Sequence, residues 1–232
     1  MDRATAFVCS GCGHAVDAPA AHSCQSNGTD VRLVHDEDRV RERFDPDGPA
    51  EDHWRYAPLF PTDRDAAVSL GEGGTSLTAG VTLSEDLGID LLLKREGANP
   101  TGSTKDRGTS LLVSHARERG DSGVACASTG NAAASLAAYA ARASLPAHIF
   151  VPDDLSGGKA TQPRVYGADV NRVDGSYDDA HRRCHRRVAE RDWADRSAGA
   201  SPFTAAGARS LGYEIADEAD PAPDWVVLPM GN

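Results

Sequence analysis

Short apolar runs alternate with longer helix-forming stretches along most of the chain after residue 88. The apolar runs predict strands, the first of them buried, over residues 89–93, 124–127, 147–151, 169–173 and 225–228. The stretches between them predict helices over residues 105–119, 131–143 and 158–166, and one more that Ser176 caps together with Asp179. Strands and helices in this alternation predict an α/β fold with a mainly parallel sheet covered on both faces.

The first 67 residues do not follow this alternation. Residues 1–29 are predicted to form a small unit of their own, and residues 30–67 are polar, with a chain-breaking cluster at 45–49. The aromatic stretch 53–61 is expected to pack along the main body of the protein and to anchor it in the core.

Composition narrows the classes of function. The chain has 232 residues, 40% of them hydrophobic, so it can bury a core and is not disordered by composition. Its net charge of −11 argues against general nucleic-acid binding, which needs a basic surface. Without a membrane-length apolar run or a signal-peptide pattern, we expect a cytoplasmic protein. The 3 lysines against 21 arginines favour adaptation to high salt over codon drift.

Three of the five cysteines fall in the N-terminal unit. Cys9 and Cys12 have the two-residue spacing of a zinc-binding turn, and Cys24 follows without a fourth cysteine to complete a second pair. His14 or His22 could supply the fourth ligand, which would give a zinc ion bound by three thiolates and an imidazole. A degenerate, metal-free hairpin is the alternative that the sequence favours. The odd cysteine count argues against a disulfide framework.

Lys105 stands where a loop enters a helix. Pro100 and Gly102 predict the loop, and the apolar pattern resumes at Leu111 and Leu112. The positive end of a helix dipole favours the neutral form of a lysine amine, and a neutral amine can form a Schiff base with a carbonyl compound. Lys105 is therefore a candidate catalytic residue that reacts with a carbonyl cofactor.

The segment 99–108, Asn-Pro-Thr-Gly-Ser-Thr-Lys-Asp-Arg-Gly, resembles the cofactor-lysine motif of threonine synthases. These enzymes belong to the tryptophan-synthase-β-like group, which uses pyridoxal 5'-phosphate (PLP). The family usually has Phe where this chain has Thr104. The resemblance implies that Lys105 bonds covalently to PLP and later serves as the base that moves the substrate's α-proton.

Two further segments carry the same resemblance. Residues 71–77 match the family's Gly-Glu-Gly-x-Thr-Pro-Leu, except that serine replaces the proline. Residues 127–132 lie between a strand and a helix, where α/β sheets bind ligands and helix amides suit an anion. The resemblance implies that Ser128 and Thr129 bind the substrate carboxylate and that Asn131 binds the phenolic oxygen of PLP. A simple helix cap is the alternative for these three residues.

The resemblance continues to the last residue of the chain. Gly231 and Asn232 match the first half of a glycine-rich loop that binds the PLP phosphate through backbone amides. The rest of that loop and a later strand of the family lie beyond this point. We therefore expect a fragment, either a truncated reading frame or a cut piece, that covers roughly the first two-thirds of a family member.

One segment departs from the family. Threonine synthases often have Asn-Ser-x-Asn-Pro-x-Arg here, and its Asn, Ser and Arg help to bind the substrate phosphate. Residues 198–204 read Ala-Gly-Ala-Ser-Pro-Phe-Thr, which lack most of the charged and hydrogen-bonding side chains that a phosphate needs. Lys159 and Arg164 could substitute for them. A substrate other than O-phosphohomoserine therefore stays open.

The resemblance implies the PLP fold-type II architecture, an α/β fold with two three-layer lobes, each built on a parallel sheet, and a small zinc-ribbon-like N-terminal unit. The large PLP-binding lobe is expected to combine residues 30–110 and 205–232, and the small lobe to comprise residues 111–204. The cofactor would lie between the two lobes.

The expected activity is that of a carbon–oxygen lyase of threonine biosynthesis, which converts O-phosphohomoserine or a related amino acid to threonine and phosphate. A threonine or serine ammonia-lyase is the second hypothesis, and an inactive remnant is the third. The expected partner is a small amino-acid substrate, with neither nucleic acid nor membrane. A homodimer follows from the resemblance alone.

Overall fold

The computed structural model describes residues 4–16, 24, 26–49, 51–155 and 157–229. The strands in this part of the chain are β1 (Thr5–Cys9), β2 (Val31–His35), β3 (Leu77–Ala79), β4 (Leu92–Lys94), β5 (Gly123–Ala127), β6 (Ala147–Pro152), β7 (Asp169–Val173) and β8 (Trp193–Asp195). The α-helices are α1 (Glu37–Arg43), α2 (Val81–Leu87), α3 (Lys105–Arg119), α4 (Asn131–Ala143), α5 (Thr161–Val165), α6 (Tyr177–Ala189), α7 (Pro202–Ala208) and α8 (Ser210–Glu218). Short 3₁₀ turns occupy His53–Leu59, Arg64–Ala66, Glu96–Ala98 and Gly157–Ala160. No helix in the described ranges has both the length and the apolar content needed to cross a bilayer.

Strands β5 to β8 form one parallel sheet in the order β7-β6-β5-β8. Successive side chains of a strand point to opposite faces. Val124 and Cys126 of β5 accordingly join the core that contains α3 and α4, whereas Ala125 and Ala127 join the core against α6. Helices thus cover both faces, and the predicted α/β class with a parallel sheet is confirmed.

Several predicted elements have the bounds that their sequence signals indicated. Helices α3 and α4 and strand β7 cover the predicted residues. Gly120 ends α3 in the left-handed conformation, with φ of 78°, as a glycine C-cap should. Ser176 and Asp179 form a reciprocal capping box at the start of α6. Local caps and turns therefore fixed these boundaries.

Two predicted strands were wrong. Residues 89–93 were expected to form a buried strand, but β4 spans Leu92–Lys94, pairs antiparallel with β3, and leaves Leu92 and Leu93 exposed. Residues 225–228 form no strand, and their large side chains lie in solvent, with Trp225 86% exposed. Apolar runs indicate a preference for burial, but a strand also needs a neighbouring strand to bond with. Among the described residues, none pairs with residues 225–228.

The N-terminal strands β1 and β2 form a separate antiparallel ribbon, in which Thr5 lies opposite His35. Because β2 begins after residue 29, the ribbon extends past the predicted N-terminal unit. Phe7 of β1 contacts Phe203 of α7, with ring centroids 5.0 Å apart, so the ribbon packs on the main body. The division of the rest of the chain into residues 30–110 with 205–232 and residues 111–204 stays a prediction.

Helices α3 and α7 meet at two glycines. A Cβ on Gly207 would lie 2.3 Å from the carbonyl oxygen of Arg107, and a Cβ on Gly108 would lie 2.6 Å from that of Thr204. Such distances are steric overlaps, so only glycine allows the two backbones to approach this closely. The contact places α7 against the first turns of α3, where Lys105 begins the helix.

Substitution of Gly108 should test this helix contact. Gly108→Ala should lower the free energy of unfolding by about 1–3 kcal/mol, because the added methyl group forces the backbones apart. Gly212→Ala in α8 is the matched control, since its added Cβ would meet no atom within 4 Å. That control should raise the free energy of unfolding by about 0.5–1 kcal/mol through helix propensity. Urea unfolding followed by circular dichroism measures both, and equal effects would contradict the contact.

Candidate active site

Lys105 is the first residue of α3 and is partly buried. Its ammonium group forms no hydrogen bond or ion pair with a described residue, although its backbone amide donates to Ser103 Oγ at 3.3 Å. Lys94 contrasts with it, because its Nζ lies 2.9 Å from a carboxylate oxygen of Glu214 and 2.6 Å from one of Glu218. Of these two lysines, Lys105 has the amine that is available to a ligand.

The loop before Lys105 is closed by its neighbour Asp106. The Asp106 carboxylate accepts hydrogen bonds from the backbone N–H of Thr101 at 2.7 Å and from its hydroxyl at 2.6 Å. Gly102 between them has φ of 85°, a conformation that favours glycine. These bonds fix the turn that places Lys105 at the start of helix α3.

Arg107 lies fully buried two residues after Lys105 and pairs with two carboxylates. Its Nη1 and Nη2 donate to the two oxygens of Glu214 at 2.6 and 2.8 Å. Its Nε and Nη2 donate to the two oxygens of Glu96 at 2.8 and 2.7 Å. Bidentate Arg–carboxylate pairs are strong and directional, so Arg107 holds the start of α3 against two distant segments.

The glycine-rich loop at residues 71–77 joins the same cluster. Glu214 also accepts a hydrogen bond from the backbone N–H of Gly74 at 2.9 Å, and the Thr75 hydroxyl donates to Glu96 at 2.8 Å. Burial alone would raise the pKa of Glu214, but its hydrogen bonds to Arg107 and the charge of that residue outweigh burial and lower the pKa to about 2. Glu214 is therefore ionised at neutral pH.

Glu72 anchors the other end of this loop inside the core. It is fully buried and accepts hydrogen bonds from Trp54 Nε1 at 3.0 Å and from the Tyr139 hydroxyl at 2.8 Å, while His53 Nε2 lies 3.0 Å away. Burial alone would raise the pKa of Glu72, but His53 and further hydrogen bonds lower it to about 2. The predicted core role of the aromatic stretch 53–61 is confirmed, since His53 and Trp54 are buried here.

Ser128, Thr129 and Asn131 lie at the junction of β5 and α4, as the sequence predicted. Ser128 and Thr129 are partly buried, and Asn131 is exposed. Gly130 is the N-cap residue, and none of the described side chains caps α4. The alternative of a simple side-chain cap is therefore wrong, and the first amides of α4 remain available to an anion.

The segment after β8 connects this junction to α3. The backbone N–H of Arg196 donates to the Ala125 carbonyl at 2.8 Å, and Ser197 Oγ accepts from the Ala127 N–H at 2.9 Å. The Arg196 side chain contacts helix α3, where its Nε donates to Thr109 Oγ1 at 2.8 Å. The end of β5 and the first turns of α3 therefore lie close to the same short segment.

Comparison with known proteins decides the family. A family model described as "Pyridoxal-phosphate dependent enzyme" matches residues 68–232. The chain belongs to this family.

Threonine synthases are among the relatives of this PLP-dependent enzyme. That of Methanocaldococcus jannaschii is 36% identical over 232 residues, which cover 97% of this chain and 57% of the relative. That of Methanosarcina acetivorans is 41% identical over 182 residues, which cover 77% of this chain and 44% of the relative. The chain thus spans about half the length of these relatives.

Solved structures agree with the family. A processed threonine deaminase, isoform 2 from Solanum lycopersicum, superposes with a TM-score of 0.59 at 26% identity, over 72% of this chain and 44% of that one. A maize serine racemase superposes with a TM-score of 0.56 at 24% identity, over 65% of this chain and 45% of that one, which shows the fold alone. The PLP fold-type II architecture of the sequence prediction is confirmed.

The residues of this PLP-dependent enzyme fit the cofactor that its family uses. The cofactor needs a primary amine that is not held in an ion pair, and Lys105 has one that pairs with no described residue. The backbone amides at the start of α4, which no described side chain caps, are available to an anionic group. Gly231 and Asn232, the predicted phosphate-binding residues, lie outside the described residues.

Sequence reasoning missed the charged residues that support Lys105 in this PLP-dependent enzyme. Glu96, Glu214 and Arg196 were not predicted to have any role. Arg107 stood inside the quoted lysine motif, and an arginine within the buried stretch of a helix is a signal that it needs a carboxylate partner. Which carboxylates would meet it depends on contacts between residues far apart in the chain.

Three cysteines form a compact group in the N-terminal ribbon. The sulfur atoms of Cys9, Cys12 and Cys24 all lie within 4.8 Å of one another. Asn27 occupies the sequence position at which a second Cys-x-x-Cys pair would have its last cysteine, and its Nδ2 donates to Cys9 Sγ at 3.4 Å. In the described part of the ribbon, no histidine completes the group, and His22 lies outside that part.

Proposed function

We propose that the whole protein is a PLP-dependent carbon–oxygen lyase of the threonine synthase type, which converts O-phosphohomoserine or a related amino acid to threonine and phosphate. The observation that carries the proposal is the amine of Lys105, which has no partner among the described residues and lies at the start of a helix that the buried ion pairs of Arg107 hold in place. Similarity to threonine synthases at 36–41% identity supports the reaction type.

The chain's own residues would divide the work as follows. Lys105 Nζ would hold the cofactor through its aldehyde and would then move the proton at the substrate's α-carbon. Ser128 and Thr129 would donate hydrogen bonds to the substrate carboxylate, and Asn131 would bind the cofactor's phenolic oxygen. When bound, PLP supplies a sink for the electron pair that proton removal leaves behind.

An ammonia-lyase acting on threonine or serine is the second candidate. The loss of most expected phosphate donors from residues 198–204 favours it, and so does the structural similarity to a threonine deaminase. An inactive remnant is the third. A homodimer, a cytoplasmic location and adaptation to high salt stay predictions from the sequence and its resemblance.

Chemical trapping should place PLP on Lys105. The purified whole protein incubated with PLP should turn yellow, and borohydride should fix the adduct on the peptide that contains Lys105 rather than on those with Lys94 or Lys159. Lys105→Ala should abolish both signals, whereas Arg41→Met, a change on the exposed face of α1, should leave them unchanged. Adduct formation at another lysine, or none at all, would refute the proposal.

The products then separate the two enzyme hypotheses. Phosphate and threonine released in equal amounts from O-phosphohomoserine support the first, and ammonia with a 2-oxo acid from threonine supports the second. Formation of neither product by PLP-loaded protein supports the remnant.

The three N-terminal cysteines are proposed as a zinc site that a fourth ligand completes. Three thiolates this close suit a tetrahedral zinc ion. We expect about one zinc ion per chain by elemental analysis, and Cys9→Ser should remove it. Cys184→Ser, at a buried cysteine outside the group, should retain it. Substoichiometric zinc in the unsubstituted chain would favour the metal-free hairpin instead.

A further inference from the structure

Arg196 is a buried cation that forms no ion pair within 4 Å with any carboxylate of the described residues. Its side chain is almost enclosed, with the residue only 7% exposed, and its Nε donates to Thr109 Oγ1. No other side-chain hydrogen bond and no ion pair joins its guanidinium to a described residue. The charges of Asp106 and Asp195 act on it without a direct bond: Asp106 accepts from Thr101, and Asp195 accepts from the backbone N–H of Ser197 and lies 3.2 Å from a ring nitrogen of His185.

The contrast with Arg107 shows what is unusual here. Arg107 bonds to two carboxylates. Burial alone would lower the pKa of Arg107, but its hydrogen bonds to Glu96 and Glu214 outweigh burial and raise the pKa. At Arg196 burial dominates and lowers the pKa. A guanidinium stays charged in proteins, and a buried charge without a counter-ion costs free energy. An anionic ligand is the counter-ion that would offset that cost.

Arg196 contacts the face of helix α3 on which Lys105 lies. Thr109, which accepts its Nε hydrogen bond, is four residues after Lys105 and therefore on the same helix face. Thr109 also donates to the Lys105 carbonyl at 2.8 Å. The backbone of Arg196 bonds to β5, the strand that leads directly into Ser128. Arg196 thus connects helix α3, which begins at Lys105, with strand β5, which leads into Ser128.

In the resemblance drawn from the sequence, Thr204 stands where threonine synthases often have a phosphate-binding arginine. The Thr204 hydroxyl donates to the Ser201 carbonyl at 2.7 Å, so it is used within the first turn of α7. Arg196 lies eight residues earlier and retains two Nη nitrogens without a described partner. Such a fork can bind a phosphate through two parallel hydrogen bonds.

We propose that Arg196 binds the side-chain phosphate of the amino-acid substrate and replaces the arginine missing at position 204. The proposal rests on the proposed function, because it assigns the substrate specificity of the same site. It also predicts that the substrate is a phosphorylated amino acid, despite the altered segment 198–204. Thr109 is then a positioning residue, since it orients the guanidinium through Nε.

Calorimetric titration of the chain with inorganic phosphate tests the proposal without requiring turnover. Unsubstituted chain should bind phosphate, Arg196→Met should weaken binding at least about tenfold, and Arg196→Lys should fall between them, because lysine keeps the charge but loses the fork. Arg41→Met, on the exposed face of α1, is the control and should bind as the unsubstituted chain does. Absence of phosphate binding in the unsubstituted chain, or equal binding by Arg196→Met, overturns the proposal.

Stability without ligand separates this role from a structural one. Since Arg196 forms no ion pair with a described residue in the free protein, Arg196→Met should leave the urea midpoint unchanged or raise it. The midpoint of the unsubstituted chain should rise with added phosphate, and that of the variant should not. A large loss of stability in phosphate-free buffer would assign Arg196 to the core and overturn the proposal.

Two further features of the experiment identify the anion and separate this inference from the proposed function. Acetate should compete poorly with phosphate, and tighter binding of acetate would mean that Arg196 binds a carboxylate, against the proposal. The phosphate titrations are carried out without PLP, so their result does not depend on a reaction at Lys105. Failure of PLP to react at Lys105 therefore refutes the proposed function alone, whereas loss of the Arg196 effect refutes this inference alone.

Discussion

The buried ion pairs of Arg107 are the constraint on which the candidate site depends. A guanidinium can be enclosed only if carboxylates satisfy its charge and its hydrogen bonds. Here Glu96 and Glu214 do so from two segments far apart in the chain, and each also bonds to the glycine-rich loop. Burial of Arg107 therefore requires loop, turn and helix α8 to be in place together. Lys105, two residues earlier, is positioned as a consequence.

The charged groups around the site fall into two kinds. Arg107 and Lys94 are paired with carboxylates and hold the structure together. Lys105 and Arg196 have no such partner among the described residues and are available to a ligand. The amine of Lys105 and the buried cation of Arg196 are thus supported by residues whose own charges are already paired. Reaction can then be assigned to Lys105 and recognition to Arg196, which bonds to Thr109 on the same face of α3.

Local signals in the sequence predicted a large part of the fold. Helix α3 was predicted residue for residue, because a loop leads into Lys105 and Gly120 caps the other end. Strands that depend on partners elsewhere were not predictable in the same way, as residues 225–228 show. In the candidate site, short motifs were enough to propose Lys105 and Ser128. The pairing of Arg107 with Glu214 could not, since 107 residues separate them and only the folded chain brings them together.

A double-mutant cycle on Arg107 and Glu214 tests the central claim most directly. The free energy of unfolding would be measured in urea for the unsubstituted chain, Arg107→Met, Glu214→Gln and the double variant. If the buried pair holds these segments together, the two changes should be coupled by about 1–3 kcal/mol, because the second change removes a partner already lost. Effects that add to within about 0.5 kcal/mol would contradict the account.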